Sequence, residues 1–412
     1  MPNDREQRKY DLVLLGATGF TGRLVAEHLG LTPTLSWAIA GRNQAKLEAL
    51  RAQLASKFPH LEALPIIKAD TLDSASMEAL AAETRVVCTT VGPYDLYGEA
   101  VVAACVAKGT DYCDLTGEVP FIRRMIDLYH DEAVASGARI VHCCGFDSIP
   151  SDLGVHVVQR ESRAKFDAPA TKIRFQVKKV RGGFSGGTVA SLMNIAKNVK
   201  DPAVRRVIAH PYALNPDGLR RGPDRGDAMK PEREAATGQW LGPFLMAPIN
   251  TRIVRRSHAL LGFYAGKDFR YDETQRFGKG LKGLALATGV TAGLTGFLFA
   301  ASVAPLRRFL ETKVLPAPGE GPSQEAIAKG FFKVELVGTT ARGETTRVVV
   351  RGEGDPGYGA TARMLGEAAM SLALDPRDPA LLAGGILTPA SALGDALVKR
   401  LAGQRVTFEL KS

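Results

Sequence analysis

A short apolar run, residues 10–15, breaks directly into Gly16-Ala17-Thr18-Gly19-Phe20-Thr21-Gly22 and then into a segment with apolar Leu24, Val25 and Leu29. Strand, tight glycine turn and helix in that order fit few chain topologies. The three glycines have separate tasks. Gly16 permits the sharp exit from the strand, Gly19 lets backbone approach a pyrophosphate without an intervening Cβ, and Gly22 lets the helix lie close on the sheet. The helix start then offers free N–H groups and a positive dipole end to phosphates. The expectation is a dinucleotide site contacted by Gly16, Thr18, Gly19, Phe20, Thr21 and Gly22. The competing reading is a glycine turn with no ligand.

Strand and helix signals then alternate. The second strand ends in Ala40-Gly41-Arg42-Asn43. A carboxylate at this tip would take the ribose hydroxyls of NAD, whereas a cation suits the 2′-phosphate of NADP. Arg42 stands there, and a guanidinium can grip phosphate bidentately. NADP(H) is therefore the expected cofactor, against Arg42 as an ordinary surface arginine. Asp70 ends the third strand, where it either faces the adenine or caps the next helix. Thr90 and Gly92 end the fourth strand, 86–91, at the carboxyl edge where ligands collect. Fifth and sixth strands lead into 111–118 and 144–152, the sixth running 139–144. Six such units within residues 1–150 predict an α/β chain with a Rossmann-like doubly wound parallel sheet.

Length and composition bound the remainder. A chain of 412 residues exceeds one ordinary core, so a second α+β domain is expected over 151–355. Residues 356–412 are expected to return to the first domain. The net charge of +10 suits acidic partners. No zinc-finger spacing or aromatic–basic repeat accompanies it, so nucleic acid is not an expected partner. The odd cysteine count, five, and the polar start without a secretory signal fit a reducing cytoplasm. No His- or Cys-rich group suggests a metal.

The Gly16–Gly22 run, the Ala40-Gly41-Arg42 tip, and residues 89–94, 112–118, 144–152 and 385–390 together resemble the saccharopine dehydrogenase-like oxidoreductases. Among these the chain is most similar to the actinobacterial trans-acting enoyl reductases. The resemblance covers nearly the whole chain and implies an NADP-binding Rossmann domain with a second α+β domain. It further implies reduction of a carbon–carbon double bond in a polyketide- or fatty-acyl-derived lipid precursor. That work is done in trans for a synthase lacking its own reductase, with the unsaturated substrate on an acyl-carrier domain. The motifs are specific for cofactor and much less so for substrate. Two other readings stay open: a saccharopine dehydrogenase-type C–N oxidoreductase on an amino acid, and a nonenzymatic NADP-binding adaptor at the membrane. An oligomer is compatible with either enzyme.

Enoyl reduction needs a hydride to the β-carbon, then a hydrogen-bond donor and a proton for the enolate. Tyr94 is the first candidate donor and Tyr112 the second, with Ser148 and Ser185 behind them; each has an ordinary structural use as well. Asp147 and Asp152 stand where they could orient substrate or simply make turns. An amino-acid substrate would instead ask for an arginine cluster, for which Arg205-Arg206, Arg220-Arg221 and Arg255-Arg256 are available. A second glycine-rich stretch, 182–188, is either a close-approach loop or a connector. Residues 211–242 have the composition of a long surface loop and of a mobile lid.

Residues 283–306 contain no charged side chain. Their length would cross a bilayer, but glycines and threonines dilute the hydrophobicity. Gly289 and Gly293 permit close helix packing. A buried, tightly packed helix is the first expectation. A helix on the membrane surface, placing a cytoplasmic protein at the inner face of the plasma membrane, is the second, and a true span the third.

Overall fold

The computed structural model describes residues 7–183, 186–310 and 321–411. Two seven-stranded sheets dominate it. Strands β1 (Tyr10–Leu15), β2 (Trp37–Gly41), β3 (Ile66–Lys68), β4 (Thr84–Thr89), β5 (Asp111–Cys113) and β6 (Arg139–Val141) lie in the first. The second takes β7 (Ala170–Arg181), β8 (Glu232–Arg233), β9 (Gln239–Gly242), β10 (Arg270–Lys279), β11 (Phe331–Thr340) and β12 (Thr345–Glu353). Of the last two strands, β13 (Gly385–Leu387) joins the first sheet and β14 (Val406–Lys411) the second.

The first sheet has the order β13-β6-β5-β4-β1-β2-β3 and is parallel throughout. Its central strands are buried on both faces, hence their unbroken apolar runs. The order reverses direction beside β1, and the crevice at that switch point is where open α/β sheets bind ligands. The second sheet, β14-β12-β11-β7-β10-β9-β8, is mixed: β7 and β10 run parallel, the other pairs antiparallel. Its β11–β12 hairpin turns through Gly343 at φ +89°, a conformation natural to glycine.

The connection between the layers is the Ile149–Phe166 helix, which leaves β6 and packs on β7, β11 and β12. The tail then divides. The Gly359–Leu374 helix packs on the Phe20–Leu29 helix and over β4, with Glu367 paired to His28 at 2.9 Å. β13 extends the first sheet, but β14 returns to β12 of the second. Residues 356–412 therefore stitch the two sheets together instead of belonging to the first alone, because the β12 edge would otherwise present unpaired backbone to water.

The sixth strand ends three residues earlier than its apolar run suggests, at Val141. Cys143 adopts φ +63° because the Asp114 carboxylate accepts its N–H at 3.1 Å and holds His142 Nδ1 at 2.7 Å. The Gly280–Ser302 helix departs most from expectation. Only Gly283, Ala287 and Ala301 are buried in it, so it is not a core helix. A Cβ added at Gly289, Gly293 or Gly296 would meet nothing within 4 Å. These glycines open onto space instead of seating a neighbouring helix. The 316–320 part of the Pro/Gly linker falls outside the described residues.

Candidate functional site

The Gly16–Gly22 turn sits at the carboxyl end of β1, in the crevice beside β4. Gly16 has φ +84°, and a Cβ on it would stand 2.7 Å from Val91 Cγ2. A Cβ on Gly22 would stand 2.2 Å from the Gly16 carbonyl oxygen, so no other residue lets the helix begin this close to its own turn. Gly19 is the N-cap of the Phe20–Leu29 helix and is exposed. No side chain caps that helix start, and no acidic residue lies in its first turn. Its leading N–H groups and positive dipole end are thus left for an anion from outside. Thr90 leans on the same turn, donating Oγ1–H to the Gly16 carbonyl at 3.1 Å. Gly92 follows before a cis bond to Pro93. The donor set fits a pyrophosphate: backbone N–H groups and room for close approach.

At the β2 tip, Arg42 is exposed and makes no hydrogen bond or ion pair among the described residues. Asn43 caps the following helix by accepting from Lys46 N at 3.0 Å, which leaves the guanidinium to whatever occupies the crevice. At the β3 tip the cap is Asp73, accepting from Ala75 and Ser76 N–H, and not Asp70. Asp70 instead turns its carboxylate onto Leu72 N–H at 3.1 Å.

Both tyrosine hydroxyls point into structure. Tyr94 donates its hydroxyl to the Thr89 carbonyl at 3.2 Å and accepts Leu115 N–H at 3.2 Å, tying the ends of β4 and β5 together. Tyr112 is fully buried and donates to Asp114 Oδ2 at 2.9 Å. Burial pushes both phenols well above their ordinary range, with Asp114 adding to it. Neither hydroxyl is free to reach a substrate in this arrangement. Asp114 is the hub: its two oxygens also accept Thr116 N–H, Cys143 N–H and His142 Nδ1.

The second sheet's elements close the other side. Glu118 accepts the N–H groups of Tyr94 and Asp95 at 2.9 and 3.0 Å, and Ser191 Oγ–H at 2.7 Å. Ser191 belongs to the Gly186–Asn198 helix, whose Asn194 also donates to Asp95 at 3.1 Å. Asp355 accepts Gly183 N–H at 2.8 Å, and the Tyr358 hydroxyl accepts Gly186 N–H at 2.9 Å. The Tyr358 ring meets Phe20 edge-on at 4.7 Å. The second glycine-rich stretch is thereby held beside the first. Ser185, a candidate donor, lies outside the described residues, as does Phe184. Glu118 ends the 112–118 run, but Tyr358, Asp355 and Ser191 carry no local sequence signal; only the long-range packing brings them to the crevice.

Asp147, half-buried just past β6, has its carboxyl pushed up to about 7 by burial, with Asp114 contributing. Asp152 and Ser148 face elsewhere. Asp152 accepts from Ser257 and Ala390 N–H, while Ser148 donates to Asn250, which donates to Glu273. They fasten the Ile149–Phe166 helix to the Ala247–Leu260 helix.

The arginine pairs do not converge on one pocket: Arg220 and Arg221 line an open surface hollow with Asp217 and Gly218, and the others lie elsewhere. Arg255 pairs with Asp224 at 2.9 Å, and Arg256 donates to the Leu214 and Ile386 carbonyls. Arg252 pairs with Asp227 at 2.9 Å, and Arg123 donates to the Ala213 and Asn215 carbonyls. These buried anchors pin residues 211–227 to the body, so that stretch is a strap and not a mobile lid. Arg205 and Arg206 are exposed on their helix, and Arg220 pairs with Asp217 and Asp127.

Residues 12–141 match the saccharopine dehydrogenase NADP-binding domain. Over 419 residues the chain is 42% identical to a trans-acting enoyl reductase of Mycobacterium tuberculosis, covering 98% of each chain. It is 40% identical over 407 residues to a trans-acting enoyl reductase of Mycobacterium ulcerans, covering 96% of each. Among solved structures, saccharopine dehydrogenase (L-Glu forming) from Saccharomyces cerevisiae superposes with a TM-score of 0.54 at 14% identity, over 97% of this chain and 99% of that one. That last likeness concerns the fold.

Proposed function

From the premise that this chain belongs to the trans-acting enoyl reductases of the saccharopine dehydrogenase-like family, we propose that it reduces the carbon–carbon double bond of an α,β-unsaturated acyl thioester. The full-length identity to named enoyl reductases carries the reading. Bound NADPH supplies the hydride for the β-carbon. The uncapped helix start and the Gly16–Gly22 turn hold the pyrophosphate, and Arg42 takes the 2′-phosphate. We assign the α-carbon proton to Asp147 on its place past the carboxyl end of β6, next to the Asp114 hub. Tyr94 and Tyr112 act as positioning residues that fix the strand ends around Asp114.

The substrate we propose is a polyketide- or fatty-acyl-derived lipid precursor, delivered on an acyl-carrier domain of a synthase that lacks its own reductase. Arg252, Arg255 and Arg256 are spent on partners within the chain, which weighs against an amino-acid substrate bearing several carboxylates.

The test compares lipids of the source organism lacking this protein with those of strains restored by wild type, Gly22→Val or Asp147→Asn. A complex lipid carrying one extra double bond should accumulate and be cleared by wild type alone. With purified protein, Asp147→Asn should keep its NADPH affinity and lose at least about tenfold in turnover. Unchanged lipids together with a rising amino-acid intermediate would replace this reading with the C–N oxidoreductase.

A further inference from the structure

We propose that the Gly280–Ser302 helix lies in the plane of an anionic bilayer surface and docks the protein there. The helix is 23 residues long, roughly 35 Å, and apolar enough to meet a membrane, yet only 11% of its most apolar window is buried. Its inner stripe (Leu284, Ala287, Thr291, Leu294, Phe297 and Ala301) repeats every three or four residues and is the less exposed side. The rest faces outward, with Leu281 85% and Phe299 65% exposed. Leu306 and Phe309, in the Ala304–Phe309 helix that follows, continue the patch.

Charge identifies the occupant. From Lys279 to Arg308 the chain carries four cations (Lys279, Lys282, Arg307 and Arg308) and no carboxylate, while Arg276 just before them is spent on Glu335. The four stand at the two ends of the apolar stretch. Apolar side chains between basic ends match acyl chains between anionic headgroups. A second copy of this helix would bring cations against cations in either orientation and offers no acid to match them.

The body holds the start of the helix and one side of it. A Cβ on Gly283 would stand 2.4 Å from the Gly278 carbonyl oxygen of β10, and the helix packs along β9 and β10. In a span, residues 303–323 would have to bring the chain back to β11 across the bilayer. That stretch holds Arg307, Arg308, Glu311, Lys313 and Glu320, too many charges for hydrocarbon. The helix also packs on Gly186–Asn198, whose Ser191 reaches Glu118, so the docking face adjoins the candidate site.

Flotation of the full chain tests this, with vesicles of equimolar phosphatidylglycerol and phosphatidylcholine beside vesicles of phosphatidylcholine alone. Wild type should float with the anionic vesicles, weaken in high salt, and be released by alkaline carbonate. The L281E/F299E double variant changes two outward side chains. It should lose at least about tenfold in binding while keeping its melting temperature and NADPH affinity. The K279Q/K282Q/R307Q variant should lose binding to anionic vesicles. Failure of wild type to float, or undiminished binding by L281E/F299E, would overturn the proposal. So would retention through carbonate, which marks a span, or a dimer in light scattering that L281E/F299E dissolves.

Discussion

Two helices of similar small-apolar composition have opposite fates. Thirteen of the sixteen residues of Gly359–Leu374 are buried, and three of the twenty-three of Gly280–Ser302. The buried one is the more polar. Glu367 pairs with His28 and Arg400, Thr361 accepts Phe146 N–H through its hydroxyl, and Ser371 donates to Asp375. The exposed helix has no charge from Gly283 to Ser302 and bonds its threonines back onto its own turns. Apolar content alone therefore says that a helix must be covered. Polar side chains with partners say by which surface within the chain.

Removing such a partner should do most damage. Glu367→Ala leaves the buried His28 ring nitrogen without its acceptor and takes one carboxylate from Arg400. It should cost about 3 kcal/mol in denaturant unfolding. A loss no larger than that of an exposed substitution would mean that packing alone seats this helix. Deleting apolar contact on the same helix comes next. Leu365 is fully buried, and Leu365→Ala should cost about 2–5 kcal/mol by leaving a cavity in the core.

The contrast also separates what the sequence discloses from what it does not. The glycine turn is legible because its cause is local: Gly16 must turn, and Gly22 must clear a carbonyl six residues back. The parallel sheet follows from the repeat of apolar runs and helices. The position of Arg42 is legible for the same reason, since it follows the very next strand after the turn. The tyrosines are not, because their hydroxyls are occupied by partners set by strand register, Leu115 N–H for one and Asp114 for the other. Arg255 and Arg256 look like surface cations until the strap at 211–227 folds over them. The site residues Tyr358 and Ser191 arrive from remote segments, and no short pattern marks their meeting.

Acidity sharpens the comparison, since a buried polar seat responds to pH and an uncharged helix cannot. Burial pushes Glu273 and Asp152 up to about 7 from the ordinary carboxylate range. A raised carboxyl binds its proton more tightly in the folded protein. That contribution is whole below about pH 4 and is lost as pH rises through about 7. Glu273→Gln mimics the protonated acid toward Tyr271 and Asn250. It should melt with wild type near pH 5 and above it near pH 8, by on the order of 2 kcal/mol. Identical melting curves for the two proteins at both pH values would remove Glu273 from the pH response.

The smallest expected effect is the most discriminating. Leu281→Gln and Leu286→Ala replace side chains that face outward, 85% and 48% exposed. A residue that touches water in both folded and unfolded chains has little transfer free energy to lose, so each should change unfolding by no more than about 0.5 kcal/mol. The same substitutions on the Gly359–Leu374 helix would be several times costlier. Thermal melts of the isolated protein at two concentrations decide the matter. A drop of many degrees in the Leu281 variant, larger in the more concentrated sample, would show that the helix is covered by another copy of the chain in solution. Equal melts would show a surface that the folded chain supports at almost no gain to itself. A large apolar face in that state marks a contact made outside the fold.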